Sequence, residues 1–87
     1  MKITVMYGGE YTRIAKTNKE ELDVNDNCAI DDLLSFLKEE HGDLIIKGIA
    51  NGDALLLLNG RSIKPNSKLL LKEGDFISIL PPVKGGF

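Results

Sequence analysis

The sequence predicts a small α+β domain, in which one main helix packs against a mixed sheet of four or five strands. Three observations favour this class: an alternating segment at the start, an amphipathic helix in the middle, and a late apolar strand that runs into prolines. The 87 residues suffice for one domain. We expect a folded body over residues 1–82 and a flexible tail over residues 83–87.

Two short strands are predicted before the helix. Residues 2–7 alternate polar and apolar side chains, which predicts a half-buried strand that ends at a glycine pair. Residues 10–18 would suit a single helical turn, but the flanking glycines and asparagine favour a loop. Residues 20–24 alternate again, and we expect a second strand with Leu22 and Val24 facing inward.

The central helix has the clearest pattern in the chain. Its apolar stripe, at helical spacing, consists of Ile30, Leu33, Leu34 and Leu37. Asp31 and Asp32 fall in the first turn, where the positive end of the helix dipole favours acidic side chains. Asn27 is the expected N-cap by residue type, with a start one or two residues later as the alternative, and Gly42 is the expected stop.

The second half of the chain contains the remaining strands. Residues 44–46 are apolar but too short to assign, residues 48–52 are interpreted as a connection, and residues 54–58 as the third strand. An Asn-Gly pair at 59–60 is a strong signal for a tight turn, and residues 61–64 would form a short return strand. Residues 76–80 form the last strand, which runs directly into the tail.

The order of elements is strand, strand, helix, and then two or three strands. With the final strand returning beside the first, this order describes a β-grasp, or ubiquitin-like, domain. A ferredoxin-like split βαβ arrangement is the main competitor, but it needs a second helix that we do not identify in the sequence.

Leucines occupy both faces of the third strand, and the last strand is similarly apolar. One helix covers only one face of a sheet, so part of this surface should stay exposed and bind a partner. The alternative is that the loop over residues 64–75 folds over it. The expected partner patch consists of Leu56, Leu58, Phe76 and Leu80.

Composition excludes several classes of protein. The formal net charge of -2 gives no general attraction to nucleic acid. No apolar run reaches the roughly 20 residues that cross a bilayer. Residues 1–43 are acidic and residues 44–87 basic, so a basic region near the tail could steer an acidic partner, with plain solvated surface as the alternative.

Cys28 is the single cysteine, which fits a reducing compartment, and we expect a cytoplasmic protein without nucleic-acid or membrane partners.

The residues show no catalytic constellation. His41 is the single histidine, and we interpret it as a helix cap or a surface residue. Cys28 could be a thiolate favoured by the helix N-terminus, but a small half-buried thiol is the preferred interpretation. One cysteine, one histidine and scattered acids do not make a metal site, so we expect no bound metal or cofactor.

The end of the sequence points to a function. Pro81 and Pro82 stiffen the exit from the last strand, and Gly85 and Gly86 leave almost no side-chain bulk. Such an arm can pass a narrow channel and present a carboxylate to another protein. The ending Pro-Pro-Val-Lys-Gly-Gly after a strand resembles that of the ubiquitin-like sulfur carriers, including the small subunit of molybdopterin synthase and the thiazole-synthesis carrier. Residues that also resemble this family lie at 11–15, 30–34 and 57–60.

The resemblance implies a carrier that acts with enzymes and is not an enzyme alone. An E1-like adenylating enzyme would use ATP to activate the carboxylate of Gly86, and a sulfur donor would displace AMP to leave a thiocarboxylate. An acceptor synthase subunit would take the sulfur, for molybdopterin, thiamine thiazole, a sulfur amino acid or transfer-RNA thiolation. The residues implied in recognition of the tail are Pro81, Pro82, Val83 and Gly85.

The sequence departs from this family in three places. Ala29 stands where a threonine usually opens the helix, and Lys84 occupies a variable position of the motif. Phe87 follows Gly86, so the glycine carboxyl is held in a peptide bond. We expect a peptidase to remove Phe87; a cloning remnant or a carrier that has lost its activity are the alternatives. Two other functions stay open: a protein modifier conjugated through Gly86, and a non-covalent interaction module.

Overall fold

The computed structural model describes residues 1–82, so the expected tail over residues 83–87 lies outside it. The elements are β1 (Lys2–Tyr7), α1 (Glu10–Ala15), β2 (Lys19–Asp23), α2 (Ile30–His41), α3 (Leu44–Ala50), β3 (Leu55–Leu58), β4 (Arg61–Ser62) and β5 (Phe76–Leu80). The sheet order is β2-β1-β5-β3-β4. Strands β1 and β5 are parallel, and the other pairs are antiparallel. This arrangement confirms the predicted α+β class and the β-grasp fold.

The core lies between the sheet and α2. The inner side chains of β1 (Ile3, Val5 and Tyr7) are buried, as are the four residues of the predicted stripe on α2. Burying a large apolar side chain contributes about 1.5–3 kcal/mol, so this seam supplies much of the stability. Leu22 and Val24 pack against the core from β2 and the residue after it, as predicted.

Two helices replace segments that were predicted as loop or connection. Residues 10–15 form α1 because Tyr11 and Ala15, one turn apart, are both buried. Residues 44–50 form α3, in which Ile45, Gly48 and Ile49 are buried at helical spacing. The spacing was present in the sequence, but seven residues containing a glycine give a weak helical signal. The additional helices leave the β-grasp order of the sheet unchanged.

Of the two caps expected for α2, the C-terminal one is confirmed and the N-terminal one lies two residues later than Asn27. The N-cap is Ala29 and not Asn27, so the alternative of a later start is the correct one. The Ala29 N–H donates to Asp32 Oδ2 at 3.0 Å, which is half of a capping box, since alanine has no oxygen to accept the reciprocal bond. Gly42 ends the helix at φ 84°, a left-handed backbone angle that suits glycine.

Candidate functional site at the tail root

The tail root, which we define as Leu80, Pro81 and Pro82, leaves the middle of the sheet. Strand β5 lies between β1 and β3 and pairs with both. Its inward side chains, Ile77 and Ile79, are fully buried. Because a central strand is hydrogen-bonded on both sides, the point at which the chain leaves the body is fixed by the core.

A glycine pair at the end of β1 forms the surface on which the tail root rests. The Gly8 N–H donates to the Ile79 carbonyl oxygen at 3.0 Å, which extends the parallel ladder. A Cβ atom on Gly8 would come within 2.7 Å of Leu80 Cδ2, and one on Gly9 within 2.7 Å of Pro81 Cγ. Gly9 also has φ 56° with ψ -135°, a region that side chains strongly disfavour. Gly9 therefore requires glycine for two independent reasons, its contact with the Pro81 ring and its backbone conformation, whereas a side chain at Gly8 would have to displace the end of the Leu80 side chain.

Sequence reasoning missed this role of the glycines. The pair was interpreted as the end of the first strand, which is correct but incomplete. The sequence did contain a signal for this contact: a glycine pair follows β1 and a proline pair follows β5. These two strand ends are neighbours because β1 and β5 pair in parallel. That signal has meaning only after the topology is known.

An open hollow of about 540 Å³ lies beside the tail root. Pro81 and Pro82 line it together with Tyr11 of α1, Lys47 of α3, and Asp53 from the connection between α3 and β3. Burial raises the pKa of the Tyr11 hydroxyl, and the carboxylates of Glu10 and Asp53 raise it further, so the phenol stays neutral at physiological pH. The hollow therefore has a basic side chain, Lys47, and an acidic one, Asp53, on its lining beside the tail root.

Two of the four residues of the predicted partner patch do not lie on the exposed side of the sheet. Leu56 is only 4% exposed and belongs to the core, and Leu58 is partly buried against the same core. Successive side chains of a strand point to opposite faces, so these two leucines face α2. Phe76 and Leu80 lie on the other side of the sheet, because their neighbours Ile77 and Ile79 are the buried ones.

The exposed side of the sheet nevertheless carries an apolar surface, the outer sheet face. Its partly exposed members include Met6 at 40%, Leu55 at 38% and Phe76 at 38%. The full set is Met6, Leu55, Leu57, Phe76 and Leu80. The loop over residues 64–75 does not cover this face; it is bonded to the start of α2, for example through the Ile30 N–H and the Leu69 carbonyl oxygen at 3.0 Å.

His41 has a structural role that the sequence did not indicate. The Tyr7 hydroxyl donates to Glu20 Oε2 at 2.6 Å, and His41 Nε2 lies 2.8 Å from the same oxygen. The His41 side chain is only 15% exposed, so the prediction of a cap or surface residue was wrong. Burial, followed by the bond to Glu20, raises the pKa of Tyr7 far above its ordinary value. The group ties the end of α2 to β1 and β2.

Cys28 is half-buried, as predicted. Burial raises the pKa of its thiol, and the carboxylates of Asp32 and Asp31 act in the same direction, so the thiolate is disfavoured. Within residues 1–82, no three histidine, cysteine, aspartate or glutamate residues are grouped so that they could hold a metal ion. Over the same residues, no helix has the length and apolar character needed to cross a membrane. Val83, Gly85, Gly86 and Phe87 lie outside the described residues.

The described residues thus form a β-grasp domain whose central strand ends at a tail root packed on a glycine pair. The sequence profile of the ThiS family matches residues 5–86, and the chain belongs to this family. The resemblance found in the sequence is thereby confirmed. A molybdopterin synthase sulfur carrier subunit from Chlamydomonas reinhardtii is 30% identical over 88 aligned residues, which cover 99% of this chain and 100% of that protein.

Solved structures agree with this assignment. Subunits 1 and 2 of the molybdopterin-converting factor from Helicobacter pylori form a protein–protein complex, in which the matching chain is 30% identical with a TM-score of 0.65, covering 99% of this chain and 100% of that one. Small archaeal modifier protein 1 from Methanosarcina acetivorans is also 30% identical, with a TM-score of 0.64, covering 98% of this chain and 96% of that one. The names of these relatives support the expectation of a carrier protein and not an enzyme.

Proposed function

We propose that the protein is a sulfur carrier that receives and donates sulfur as a thiocarboxylate on Gly86. The observation on which the proposal depends is the combination of a glycine-braced tail root with a family match that runs through Gly86. The packing of Pro81 on Gly9 fixes the point at which the chain leaves the body, and the two glycines near the end of the sequence, without Cβ atoms, suit a narrow channel in a partner.

The chemistry divides between the carrier and its partners. A carboxylate is a poor electrophile, so an E1-like enzyme uses ATP to form the acyl-adenylate of Gly86 and releases pyrophosphate. A sulfur donor at the oxidation level of hydrosulfide then attacks the carbonyl carbon and AMP leaves, which gives the thiocarboxylate. The carrier supplies the surface that the partners recognise and presents its carboxyl group to them. ATP binds to the partner enzyme, so in this proposal the carrier itself holds no cofactor. A reducing cytoplasm, in which thiocarboxylates persist, is the proposed location.

Phe87 must be removed before this chemistry can begin. The Gly86 carboxyl is held in an amide bond to Phe87 in this sequence, and an amide offers no carboxylate to ATP. The family match ends at Gly86 and leaves Phe87 outside. We propose that a peptidase hydrolyses the Gly86–Phe87 bond, so that the chain is a precursor until it is cut.

The outer sheet face is the proposed docking surface for partner proteins. It is apolar, it lies next to the tail root through Leu80, and Leu55 pairs with Leu80 across β3 and β5. The Helicobacter pylori relative forms a complex with a second synthase subunit. By analogy, we propose that an acceptor subunit and the activating enzyme bind this face at different steps of the sulfur-transfer cycle.

The test compares three forms of the protein: residues 1–87, residues 1–86 and residues 1–84. Each is incubated with the activating enzyme from its own host, ATP and sulfide, and its intact mass is measured. We expect exchange of one oxygen for sulfur in the form that ends at Gly86 and in neither of the others. Equal modification of all three forms, or of none, contradicts the proposal.

A protein modifier conjugated through Gly86 is the second candidate. The specific observation is the 30% identity to the small archaeal modifier protein from Methanosarcina acetivorans. The two functions share the adenylation step and differ in the nucleophile, which is a lysine amine for a modifier. Conjugates of higher mass that survive reducing denaturation in the host, and that vanish when Gly86 is deleted, would favour the modifier.

A further inference from the structure

Two consecutive leucines are exposed on a loop that is firmly held. Leu69 is 52% exposed and Leu70 54% exposed. Their backbone is nevertheless bonded to the start of α2: the Leu69 carbonyl oxygen accepts from the Ile30 N–H at 3.0 Å, and the Leu71 N–H donates to the Cys28 carbonyl oxygen at 2.9 Å. The exposure of both side chains is therefore a property of the folded loop and not of a frayed segment.

Leu69 lines an open cleft of about 530 Å³ with residues of the β3–β4 hairpin. Leu58 and Ile63, both partly buried, form its apolar floor, and Arg61 stands on its wall. An exposed concave surface with an apolar floor is typical of a site that receives a side chain from a partner.

Every charged side chain in the segment around the cleft is basic. Residues 61–72 contain four basic side chains, all exposed, and no acidic one: Arg61, Lys64, Lys68 and Lys72. The adjacent carboxylates already accept hydrogen bonds from the protein. Asp31 accepts from Lys68 Nζ, Asp75 from Asn59 Nδ2 and the Lys72 N–H, and Glu73 from the Lys2 N–H. We define the distal surface as Arg61, Ile63, Lys64, Leu69 and Leu70.

The distal surface lies at the opposite end of the sheet from the tail root. Leu58 pairs with Ile77 near the start of β5, while Leu55 pairs with Leu80 at its end. The two ends of β5 are four residues apart, which is about 14 Å at the rise of roughly 3.4 Å per residue in an antiparallel strand. A short segment bound on the distal surface therefore leaves the tail root, and Leu55 beside it, free.

We propose that the distal surface binds an acidic segment of a partner protein, in which a large apolar side chain flanked by carboxylates enters the cleft. The apolar side chain contacts Leu58, Ile63 and Leu69, and the carboxylates face Arg61 and Lys64. This second contact holds the body of the carrier while the tail is engaged elsewhere. It does not depend on sulfur chemistry, so it can fail or hold independently of the proposed function.

The experiment uses nitrogen-15-labelled protein and synthetic six-residue peptides in which one or two leucine or phenylalanine residues lie between pairs of glutamates. Amide shifts are followed by NMR during titration. We expect shifts confined to residues 58–63 and 69–70, and weaker binding as salt is raised, because exposed charges are screened. Leu69→Ser should weaken binding about tenfold, as expected for loss of a central apolar contact, and Arg61→Glu should weaken it at low salt.

Matched controls decide between the possible outcomes. Leu55→Ser, on the outer sheet face, should leave peptide binding unchanged, and peptides with lysine in place of glutamate should not bind. Shifts centred on Leu55 and Leu80 at the tail-root end of the outer sheet face, binding that is insensitive to Leu69→Ser, or the absence of binding by every acidic peptide at about 1 mM, a concentration that detects even weak contacts, each overturn the proposal. Binding to anionic phospholipid vesicles that is lost in Leu69→Ser, without peptide binding, overturns it in favour of a membrane surface.

Discussion

Replacing Gly9 with alanine tests whether the glycine pair positions the tail. The new Cβ would come within 2.7 Å of Pro81 Cγ and 3.2 Å of Pro81 Cδ, and overpacking of this kind costs about 1–3 kcal/mol. The backbone at φ 56° adds about 1–3 kcal/mol, because alanine rarely adopts it. We therefore expect Gly9→Ala to lower the free energy of unfolding by about 2–6 kcal/mol.

A control variant and a double-mutant cycle separate contact from backbone strain. Gly74 has φ 85° and nothing within 4 Å of an added Cβ, so Gly74→Ala reports strain alone. Pro81→Ala removes the ring atoms that the new methyl group meets. In the pair Gly9→Ala and Pro81→Ala we expect a favourable coupling of about 1–3 kcal/mol, typical of residues in contact.

Urea unfolding followed by circular dichroism measures these free energies. Thiocarboxylation of the form ending at Gly86 gives the functional reading, and we expect Gly9→Ala to be slower than Gly74→Ala at concentrations where both are folded. The reasoning is refuted if Gly9→Ala is no more destabilising than Gly74→Ala and shows no coupling to Pro81→Ala.

Three further predictions follow from the core and the buried polar group. Leu56→Ala should destabilise the fold by about 2–5 kcal/mol in urea unfolding, whereas Leu55→Ser, at a residue 38% exposed, should cost less than about 1 kcal/mol. In calorimetry, Leu55→Ser should weaken binding of the activating enzyme. Equal effects of the two substitutions on stability and binding would contradict the assignment of faces. Tyr7→Phe should cost about 1.5–3 kcal/mol, the range for a hydrogen bond to a charged group; no loss in the same assay would mean that the bond to Glu20 contributes nothing. The pKa of Tyr7 is higher in the folded chain than in the unfolded one, so its contribution is complete below the ordinary tyrosine pKa of about 10 and is lost as pH rises above it. Unfolding measured against pH should therefore show a shallower alkaline decline for Tyr7→Phe than for the native chain, and identical slopes would count against the shifted pKa.

Elements with a strong period could be predicted from the sequence alone. The stripe on α2 and the alternation in β1 reflect burial against a single surface, so local pattern and final structure coincide. The strand over residues 76–80 was predicted with its observed bounds for a different reason, because it is apolar and stands between turn and proline signals. The ending Pro-Pro-Val-Lys-Gly-Gly pointed to the family before the fold was known.

Other features depend on contacts that no local pattern contains. Leu56 and Leu55 are identical residues on one strand, and which of them faces the core follows from register with β5. The contact of Gly9 with Pro81 joins positions that are 72 apart in the sequence and meet only because β1 and β5 are parallel. The bond from His41 to Glu20 likewise requires the end of α2 to lie over β2. Short helices such as α3 have too few residues for a helical spacing of apolar side chains to be distinguished from a chance pattern.

The intact mass of the protein, isolated from its own host under mild and non-reducing conditions, tests the central claim most directly. The account predicts a species that lacks Phe87 and has one oxygen exchanged for sulfur. The precursor mass should accumulate when the peptidase is inhibited. Detection of the full-length mass alone, even in cells starved of the pathway products, would contradict the account and leave a non-covalent interaction module as the better description.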